Sequence, residues 1–417
     1  MIDAIKNIEH RSRLGRWRSH FRPWPVIVGV AAILSLVVKV IIALRTHGTN
    51  DVLYWESFLA TANSAGGIEL YHSLSYFNHP PFMIHLLRVL GFTSSLTGVP
   101  FPFWIRLPAI LADLCSVFLI WKVLEAGGGK TFAPLAVFLM ALSPASIMVS
   151  GFHGNTDPLM IFFVLLSIFL VNKSEHTWLA GIAFGMGVNI KVVPIILAPA
   201  IFLFLPVIRK RIEFFFAVIA TTLICWLPYI VQDPAFILDR LFRYNSIYGH
   251  WGLSRLVSSS SEITAFYHSN GKYFVFAEII IASIWMNWSA KKPSLFMQCG
   301  FITFLLLSLT PGFGIQYLAW LVPWVVGLGV TATLTYYITS GVFIFLVYNF
   351  WAGGLPWDLA NSDVVGDWRD YMIYYEIVCW SSVVTITLNY LRPGTLTGSV
   401  EGASAAQSIA EETSVAL

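Results

Sequence analysis

The sequence predicts an all-α polytopic membrane protein, a bundle of about twelve transmembrane helices. The 417 residues are 57% hydrophobic and only 11% charged, whereas soluble domains carry roughly 25% charged residues. The apolar residues form successive runs, many of them near the length of about 20 residues that crosses a bilayer. A long polar stretch, residues 46–102, follows the first run and holds two amphipathic segments, 51–65 and 80–91, that predict juxtamembrane helices.

The chain divides into three predicted regions. Residues 1–24 are rich in arginine and precede an apolar run directly, so we expect a cytoplasmic anchor at anionic headgroups and not a nucleic-acid arm. Residues 25–391 form the predicted transmembrane domain, and the small, polar residues 392–417 predict a disordered cytoplasmic tail. The predicted spans are 25–44, 103–124, 131–150, 158–172, 178–190, 192–207, 213–231, 273–290, 295–309, 315–331, 335–351 and 370–391.

The positive-inside rule decides whether the apolar residues 81–91 cross the bilayer. If they lie at the interface, the lysines and arginines of the later short loops share the cytoplasmic side with the N-terminus. If they crossed, those charges would fall outside. We therefore expect residues 46–102 to form one long external loop, with both termini cytoplasmic.

Several classes of function have no support in the sequence. The four cysteines lie inside apolar runs, with spacing that fits neither a zinc site nor a disulfide framework. No phosphate-binding loop, dinucleotide fingerprint or HExxH motif is present. We therefore expect no metal and no cofactor.

The first external loop carries the candidate catalytic group. Asp51 follows the first span by about six residues, level with headgroups, where it could act as a general base that removes a proton from an acceptor hydroxyl. It could equally be part of a helix N-cap with Asn50. Glu56, one turn further on, is the rival base, and His79 in the segment FNHPPF could bind a phosphate or a sugar or simply stabilise a turn.

Two polar positions interrupt the next apolar runs. Arg106 near the start of the second span could bind a phosphate, or it could snorkel or pair with Asp113 two turns along the same helix. In the segment GFHGNTDP, His153 and Asp157 could contact a sugar, or Asp157 could cap the next helix.

Later external segments add further candidates. Lys191, between two apolar runs in NIKVVP, suits the phosphate of a lipid carrier but could also snorkel. Arg240 and Arg243 lie in a loop rich in arginine and aromatic residues that suits an anionic headgroup, or an interfacial helix. Gln316 and Tyr317 follow a glycine-rich turn and could line a substrate pocket or an aromatic belt.

Taken in order, these patterns resemble the GT-C superfamily of membrane glycosyltransferases. The similarity lies in the early loop carboxylate, the HPP segment, the arginine of the second span, the G-x-x-D-like motif, IK-x-x-P and the G-x-Q-Y-x-x-W-x-x-P stretch at 314–323. It extends over most of residues 25–330 and is closest to bacterial enzymes that take mannose or glucose from polyprenyl phosphate, and to the related endoplasmic reticulum enzymes. The resemblance therefore implies a bacterial plasma membrane.

The resemblance implies a GT-C-like bundle with Asp51 as the base and with Arg106, Lys191, Arg240 and Arg243 at the donor phosphate. Asp51 has Asn50 and Val52 as neighbours, so the paired acidic motif of the metal-dependent oligosaccharyltransferases is missing. The implied reaction is therefore a metal-independent, inverting displacement.

We expect the protein to transfer a hexose from a polyprenyl-phosphate sugar donor to a lipid-linked or envelope glycan acceptor on the external face. The expected partners are this donor, a glycan or glycolipid acceptor and membrane lipids. The alternatives are a multi-span transporter or flippase and a scaffold subunit of an envelope assembly complex. A transporter site would lie near the bilayer midplane between internal repeats, whereas here no repeat is visible and the polar residues gather on one predicted face.

Overall fold

The computed structural model describes residues 23–126, 133–173, 176–243, 246–257, 260–289 and 292–392. The predicted basic segment 1–24 and the predicted tail 392–417 lie almost entirely outside these residues. The described chain is an all-α membrane protein with two very short β pairings.

The helices follow one another with short connections and are numbered in chain order. They are α1 Pro23–Arg45, α2 Asn50–Ser64, α3 Gly67–Ser73, α4 Phe82–Thr97, α5 Phe101–Ala126, α6 Ala133–Ala141, α7 Pro144–Met148, α8 Asp157–Lys173, α9 Thr177–Ile190, α10 Ala198–Phe204, α11 Ile208–Ile230, α12 Pro234–Phe242, α13 Gly252–Leu256, α14 Ser261–Trp288, α15 Leu295–Leu309, α16 Leu318–Val325, α17 Val330–Trp351, α18 Ser362–Val365 and α19 Asp370–Tyr390.

Each of the predicted apolar runs is helical over most of its length. Within the described residues, six helices are long and apolar enough to cross a membrane. They are Trp24–Arg45, Phe101–Glu125, Ala133–His153, Ile208–Ile230, Val330–Trp351 and Asp370–Tyr390. Shorter apolar helices of 10–17 residues accompany them, so the prediction of an integral membrane protein is confirmed, and the figure of about twelve spans stays a prediction.

Polar residues lie at two breaks in the helical structure, one inside the predicted span 131–150 and one between the predicted spans 178–190 and 192–207. After α6, Ser143 caps the short α7, and the chain widens into a π-helical turn, Val149–His153. After α9, Lys191 adopts an extended backbone, and a 3₁₀ turn with Pro194 follows at Val193–Leu197. Irregular backbone within a membrane protein is tolerated where it lines a cavity.

The first polar loop holds three helices, α2 to α4, where two were predicted. Helix α2 begins at Asn50, and its N-cap is Thr49, whose hydroxyl accepts from the backbone N–H of Asp51. The cap therefore lies one residue before the predicted Asn50 or Asp51, which leaves the Asp51 carboxylate available for other contacts.

A loop far along the chain forms backbone hydrogen bonds with the residues just before α2. Strand β1, Gly48–Thr49, pairs in parallel with β4, Leu359–Ala360. A second pair, β2 Ile247–Tyr248 with β3 Gly312–Phe313, is antiparallel. These pairings bring the segment before Asp51 against the loop that follows α17.

A buried ion pair joins α1 to α5. Lys39 Nζ lies 2.7 Å from Asp113 Oδ2, and Lys39 is 3% exposed. The alternative prediction of an Arg106–Asp113 pair is therefore wrong, because Lys39 and two serine hydroxyls, of Ser146 and Ser150, occupy this carboxylate oxygen.

Candidate active site

A cavity of about 150 Å³ opens where α2, the loop before α4 and the breaks near residues 155, 191 and 316 meet. It is lined by Asp51, Tyr54, Trp55, Phe58, Tyr76, Asn78, His79, Asn155, Lys191, Gln316 and Tyr317. Five of the residues predicted from the sequence as site candidates lie in this wall: Asp51, His79, Lys191, Gln316 and Tyr317.

Asp51 is held from behind by two side chains. Its Oδ2 lies 3.0 Å from His153 Nε2 and accepts a hydrogen bond of 2.9 Å from Asn155 Nδ2, while a quarter of the side chain remains exposed. Burial by itself would raise the pKa of the Asp51 carboxyl, but His153, Asn155 and Lys191 outweigh burial and lower this pKa to about 2. Asp51 is therefore a carboxylate at all ordinary pH values.

His153 reaches Asp51 from the end of the π-helical turn and does not line the cavity. It is 3% exposed, and its Nδ1 lies 2.8 Å from Tyr348 Oη. Both ring nitrogen atoms of His153 are therefore occupied, Nδ1 by Tyr348 and Nε2 by Asp51. The predicted contact of His153 with a sugar is therefore not seen, because the ring is occupied on both sides.

Lys191 forms the cationic wall of the cavity. Its Nζ lies 2.7 Å from Asp157 Oδ1 and 5.0 Å from the ring centre of Tyr317. Asp157 is fully buried, so it orients Lys191 and cannot reach a sugar as predicted. The Lys191 side chain is 14% exposed, so its ammonium group can contact an anion in the cavity.

The remaining wall is aromatic. Tyr54 and Tyr76 lie with ring centres 4.9 Å apart, and Phe58 lies 5.4 Å from Tyr76. Burial and the hydrogen bond to Asp363 raise the pKa of Tyr54 to about 12. Burial, reinforced by Lys191, lowers the pKa of His79 to about 3, so this imidazole is a neutral hydrogen-bonding group.

A second, mostly apolar cavity of about 290 Å³ lies on the other side of Tyr317 and Trp320. The two rings stack with centres 4.1 Å apart. Helices α14 and α15 supply much of its wall. Their apolar residues there include Val275, Ile279 and Leu306, and the polar side chains of Lys272 and His268 also line it. Since Tyr317 lines both spaces, the apolar cavity adjoins the polar one.

The structure does not bring Arg106 to the cavity. The side chain is fully buried and donates to backbone carbonyls of Ala43, Gly151 and its own helix. The predicted phosphate contact is therefore not available in this arrangement, because the guanidinium is already satisfied by the protein.

Three other residues that the sequence predicted to contact substrate also do not line the cavity. Glu56 pairs with His47 at 3.4 Å. Arg240 donates to the carbonyl of Ser75 and stacks on Phe236. Arg243 is 81% exposed and pairs with Asp239, one helical turn away.

Sequence reasoning missed Asn155, although it lies in the same GFHGNTDP segment as His153 and Asp157. A signal was present, since an amide in such a break can donate to a carboxylate. Tyr348 was also missed, because nothing in the apolar α17 sequence shows which tyrosine faces a histidine about 195 positions earlier in the chain.

Part of the chain matches a known family of membrane enzymes. Residues 78–231 match the model of the dolichyl-phosphate-mannose-protein mannosyltransferase family. This segment holds His79, His153, Asp157 and Lys191, and it excludes Asp51. The match confirms the predicted resemblance to membrane glycosyltransferases that use lipid-phosphate sugars.

Two curated relatives point to the same class. "Putative mannosyltransferase YkcB" of Bacillus subtilis (strain 168) is 31% identical over 233 residues, which cover 49% of this chain and 30% of that protein. "GPI mannosyltransferase 1" of Saccharomyces cerevisiae is 28% identical over 96 residues, 23% of each chain. The chain thus spans less than a third of the length of the curated relatives that it matches.

Two solved structures of ArnT also align with this chain. ArnT from Cupriavidus metallidurans, crystallised with undecaprenyl phosphate, aligns with a TM-score of 0.47 and 14% identity over 94% of this chain and 81% of that one. Its apo form aligns with a TM-score of 0.45 and 15% identity over 92% and 79% of the two chains.

Proposed function

We propose that the protein is a membrane glycosyltransferase that moves a hexose, mannose or glucose, from a polyprenyl-phosphate carrier to a glycan or glycolipid acceptor. The observation that carries this proposal is one cavity with a carboxylate, Asp51, and a cation, Lys191, both partly exposed to it. The family match and the names of the two relatives support the donor class and favour mannose.

In the proposed reaction an acceptor oxygen attacks the anomeric carbon of the donor sugar. The bond between that carbon and the phosphate oxygen breaks from the opposite face, so the configuration inverts. Lys191 holds the charge that develops on the leaving phosphate, and a positioned charge of this kind is often the largest contribution to catalysis. The acceptor proton passes to Asp51, and no metal takes part.

The low pKa of Asp51 determines when this proton moves. A carboxylate with a pKa of about 2 is a weak base toward a free hydroxyl, because general bases work best when their pKa lies near the working pH. Asp51 therefore first accepts a hydrogen bond that orients the acceptor. It takes the proton late, when the oxygen is already bonding to carbon and its proton has become acidic.

Donor binding makes Asp51 a better base. Lys191 is one of the groups that lower the pKa of Asp51, and a phosphate that pairs with Lys191 removes part of this effect. The same phosphate adds negative charge nearby, which raises the pKa of a carboxyl group. The base is thus strengthened only when the donor is present.

The carrier chain would occupy the apolar cavity beyond Tyr317 and Trp320. Its wall of aliphatic side chains from α14 and α15 matches an isoprenoid. The acceptor would enter beside Tyr54 and Tyr76, whose rings can stack on sugars. We also propose that this face is external, in a bacterial plasma membrane, with both termini cytoplasmic, as the distribution of lysine and arginine in the sequence favours.

The test compares Asp51→Asn with Lys191→Met in membranes supplied with radiolabelled polyprenyl-phosphate mannose or glucose. Asp51→Asn keeps the shape of the side chain and is expected to lower kcat by about 10²–10⁴-fold with little change in donor KM. Lys191→Met is expected to raise donor KM as well. Wild-type transfer by Asp51→Asn would remove Asp51 as the base, and movement of sugar-lipid across the bilayer without a new glycosidic bond would favour a flippase.

A further inference from the structure

Arg106 is a buried cation whose hydrogen bonds go to uncharged oxygen atoms. The side chain has no exposed surface. Its five N–H groups make six hydrogen bonds, because Nη1 has three acceptors and shares one N–H between two of them. The acceptors are the carbonyls of Ala43, Thr46, Pro102, Gly151 and Phe152 and the hydroxyl of Thr46.

Apart from Pro102 in its own helix, these acceptors belong to two segments of the chain. Ala43 and Thr46 stand at the end of α1, shortly before Asp51. Gly151 and Phe152 stand in the π-helical turn, directly before His153. The last carbonyls of a helix have no partner within the helix, so the two segments present acceptors that one guanidinium can join.

We propose that Arg106 is a positioning residue that fixes the Asp51–His153 contact by clamping together the two backbone segments that carry these side chains. The inference rests on the proposed function, in which Asp51 is the base. Arg106 itself touches neither the cavity nor a reacting atom.

The two clamped segments are in close contact, so a small shift has large consequences. A Cβ at Gly48 would lie 2.7 Å from the carbonyl oxygen of Phe152 and 3.5 Å from Arg106 Nη1. The hydroxyl of Thr49 adds a bond of 2.8 Å to the carbonyl of His153. The Thr49 hydrogen bond and the Arg106 clamp thus act on the same two segments, whose side chains Asp51 and His153 lie 3.0 Å apart.

The identity of the cation matters to the clamp. Arginine presents five N–H donors in a rigid planar fork, whereas lysine places three donors on one flexible nitrogen. A lysine at position 106 keeps the charge and cannot span both segments. Arg106→Lys therefore separates the clamp from the electrostatic effect of the charge.

Loss of the clamp would change the pKa of Asp51 by altering which groups face its carboxylate. They are His153 and Asn155 behind it, Lys191 across the cavity and His79 in the wall. If the π-helical turn moves away, Asp51 loses His153 and Asn155 and keeps Lys191. Its pKa then rises, because burial opposes the charged form.

The test compares full-length wild-type protein with Arg106→Lys in nanodiscs by hydrogen–deuterium exchange and by transfer kinetics with polyprenyl-phosphate mannose and glucose. Exchange is expected to become faster in peptides that cover residues 46–58 and 147–158. We expect kcat to fall about 10²-fold, the effect of a misplacement of about 1 Å, with donor KM nearly unchanged. The acid limb of the kcat profile is expected to move to higher pH.

Arg255→Lys is the matched control. Arg255 Nε lies 2.9 Å from Glu376 Oε2, which is fully buried, in another part of the bundle. This variant also weakens an internal arginine contact, and it should leave exchange at 46–58 and 147–158 and the acid limb of kcat unchanged. Equal effects of the two variants would show general loosening and would overturn the proposal.

Unchanged exchange and unchanged kcat in Arg106→Lys would also overturn it. If too little folded Arg106→Lys is recovered, Thr46→Val serves instead, since it removes one acceptor and keeps the guanidinium. Faster exchange confined to the same two segments supports the clamp, and unchanged exchange in both refutes it. Because exchange needs no substrate, faster exchange in Arg106→Lys combined with full activity of Asp51→Asn would retain the clamp and reject Asp51 as the base.

Discussion

The buried Lys39–Asp113 pair gives a quantitative prediction about stability. Lys39 Nζ lies 2.7 Å from Asp113 Oδ2, and the side chains are only 4% and 17% exposed. The same oxygen accepts from the hydroxyls of Ser146 and Ser150. We expect each single substitution, Lys39→Met or Asp113→Leu, to be far more damaging than the two together.

The magnitude follows from which charge is left behind. Asp113→Leu leaves a buried ammonium whose remaining hydrogen-bond partner is Ser146, and removing one partner of a buried pair costs about 3–5 kcal/mol. Lys39→Met should fall at the low end of this range, since two serine hydroxyls still solvate the carboxylate. The double variant buries no charge and should return to within about 1–2 kcal/mol of wild type.

The assay is a double-mutant cycle on the free energy of unfolding in mixed micelles, followed by tryptophan fluorescence. A coupling of about 3 kcal/mol or more is expected. The control cycle uses the ion pair Lys122–Glu125, whose side chains are 63% and 43% exposed. The coupling energy of this pair should stay below about 1 kcal/mol. Additive losses at Lys39 and Asp113 would refute the reasoning that the bilayer interior makes this pair costly to break.

Two further predictions concern the site and the topology. His153→Leu removes the strongest of the effects that lower the pKa of Asp51, so this pKa should rise above its wild-type value of about 2. As the pH falls, kcat/KM should then begin to decline at a higher pH than in wild type, and identical profiles would reject the pairing. For topology, a single cysteine at position 85 should react with a membrane-impermeant maleimide from outside, and one at position 122 only after permeabilisation. The opposite pattern would invert the orientation.

The helices could be predicted from the sequence because hydropathy alone determines where a chain can enter a bilayer. Each predicted run appears as a helix, and the positions of the polar breaks at residues 151–158 and 189–194 were visible as well. The backbone conformation at each break could not be predicted. A π-helical turn and an extended residue at Lys191 depend on packing between segments far apart in the chain.

Which charged residues reach the cavity could be predicted only in part. Asp51 and Lys191 were found because each stands where a helix begins or ends, next to open space. Arg106 was assigned to a phosphate because a sequence shows a charge and does not show nearby carbonyls. Its partners at Gly151 and Ala43 come from other segments of the chain, and only the folded backbone brings their carbonyls to the guanidinium.

The parallel pairing of Gly48–Thr49 with Leu359–Ala360 has a consequence for how the protein is made. The loop that carries Asp51 leaves the ribosome early, and its backbone partner is synthesised 311 positions later. Gln316 and Tyr317, which close the cavity, also come late. During insertion Asp51 must therefore wait for a long stretch of synthesis before the residues that complete the cavity wall are present.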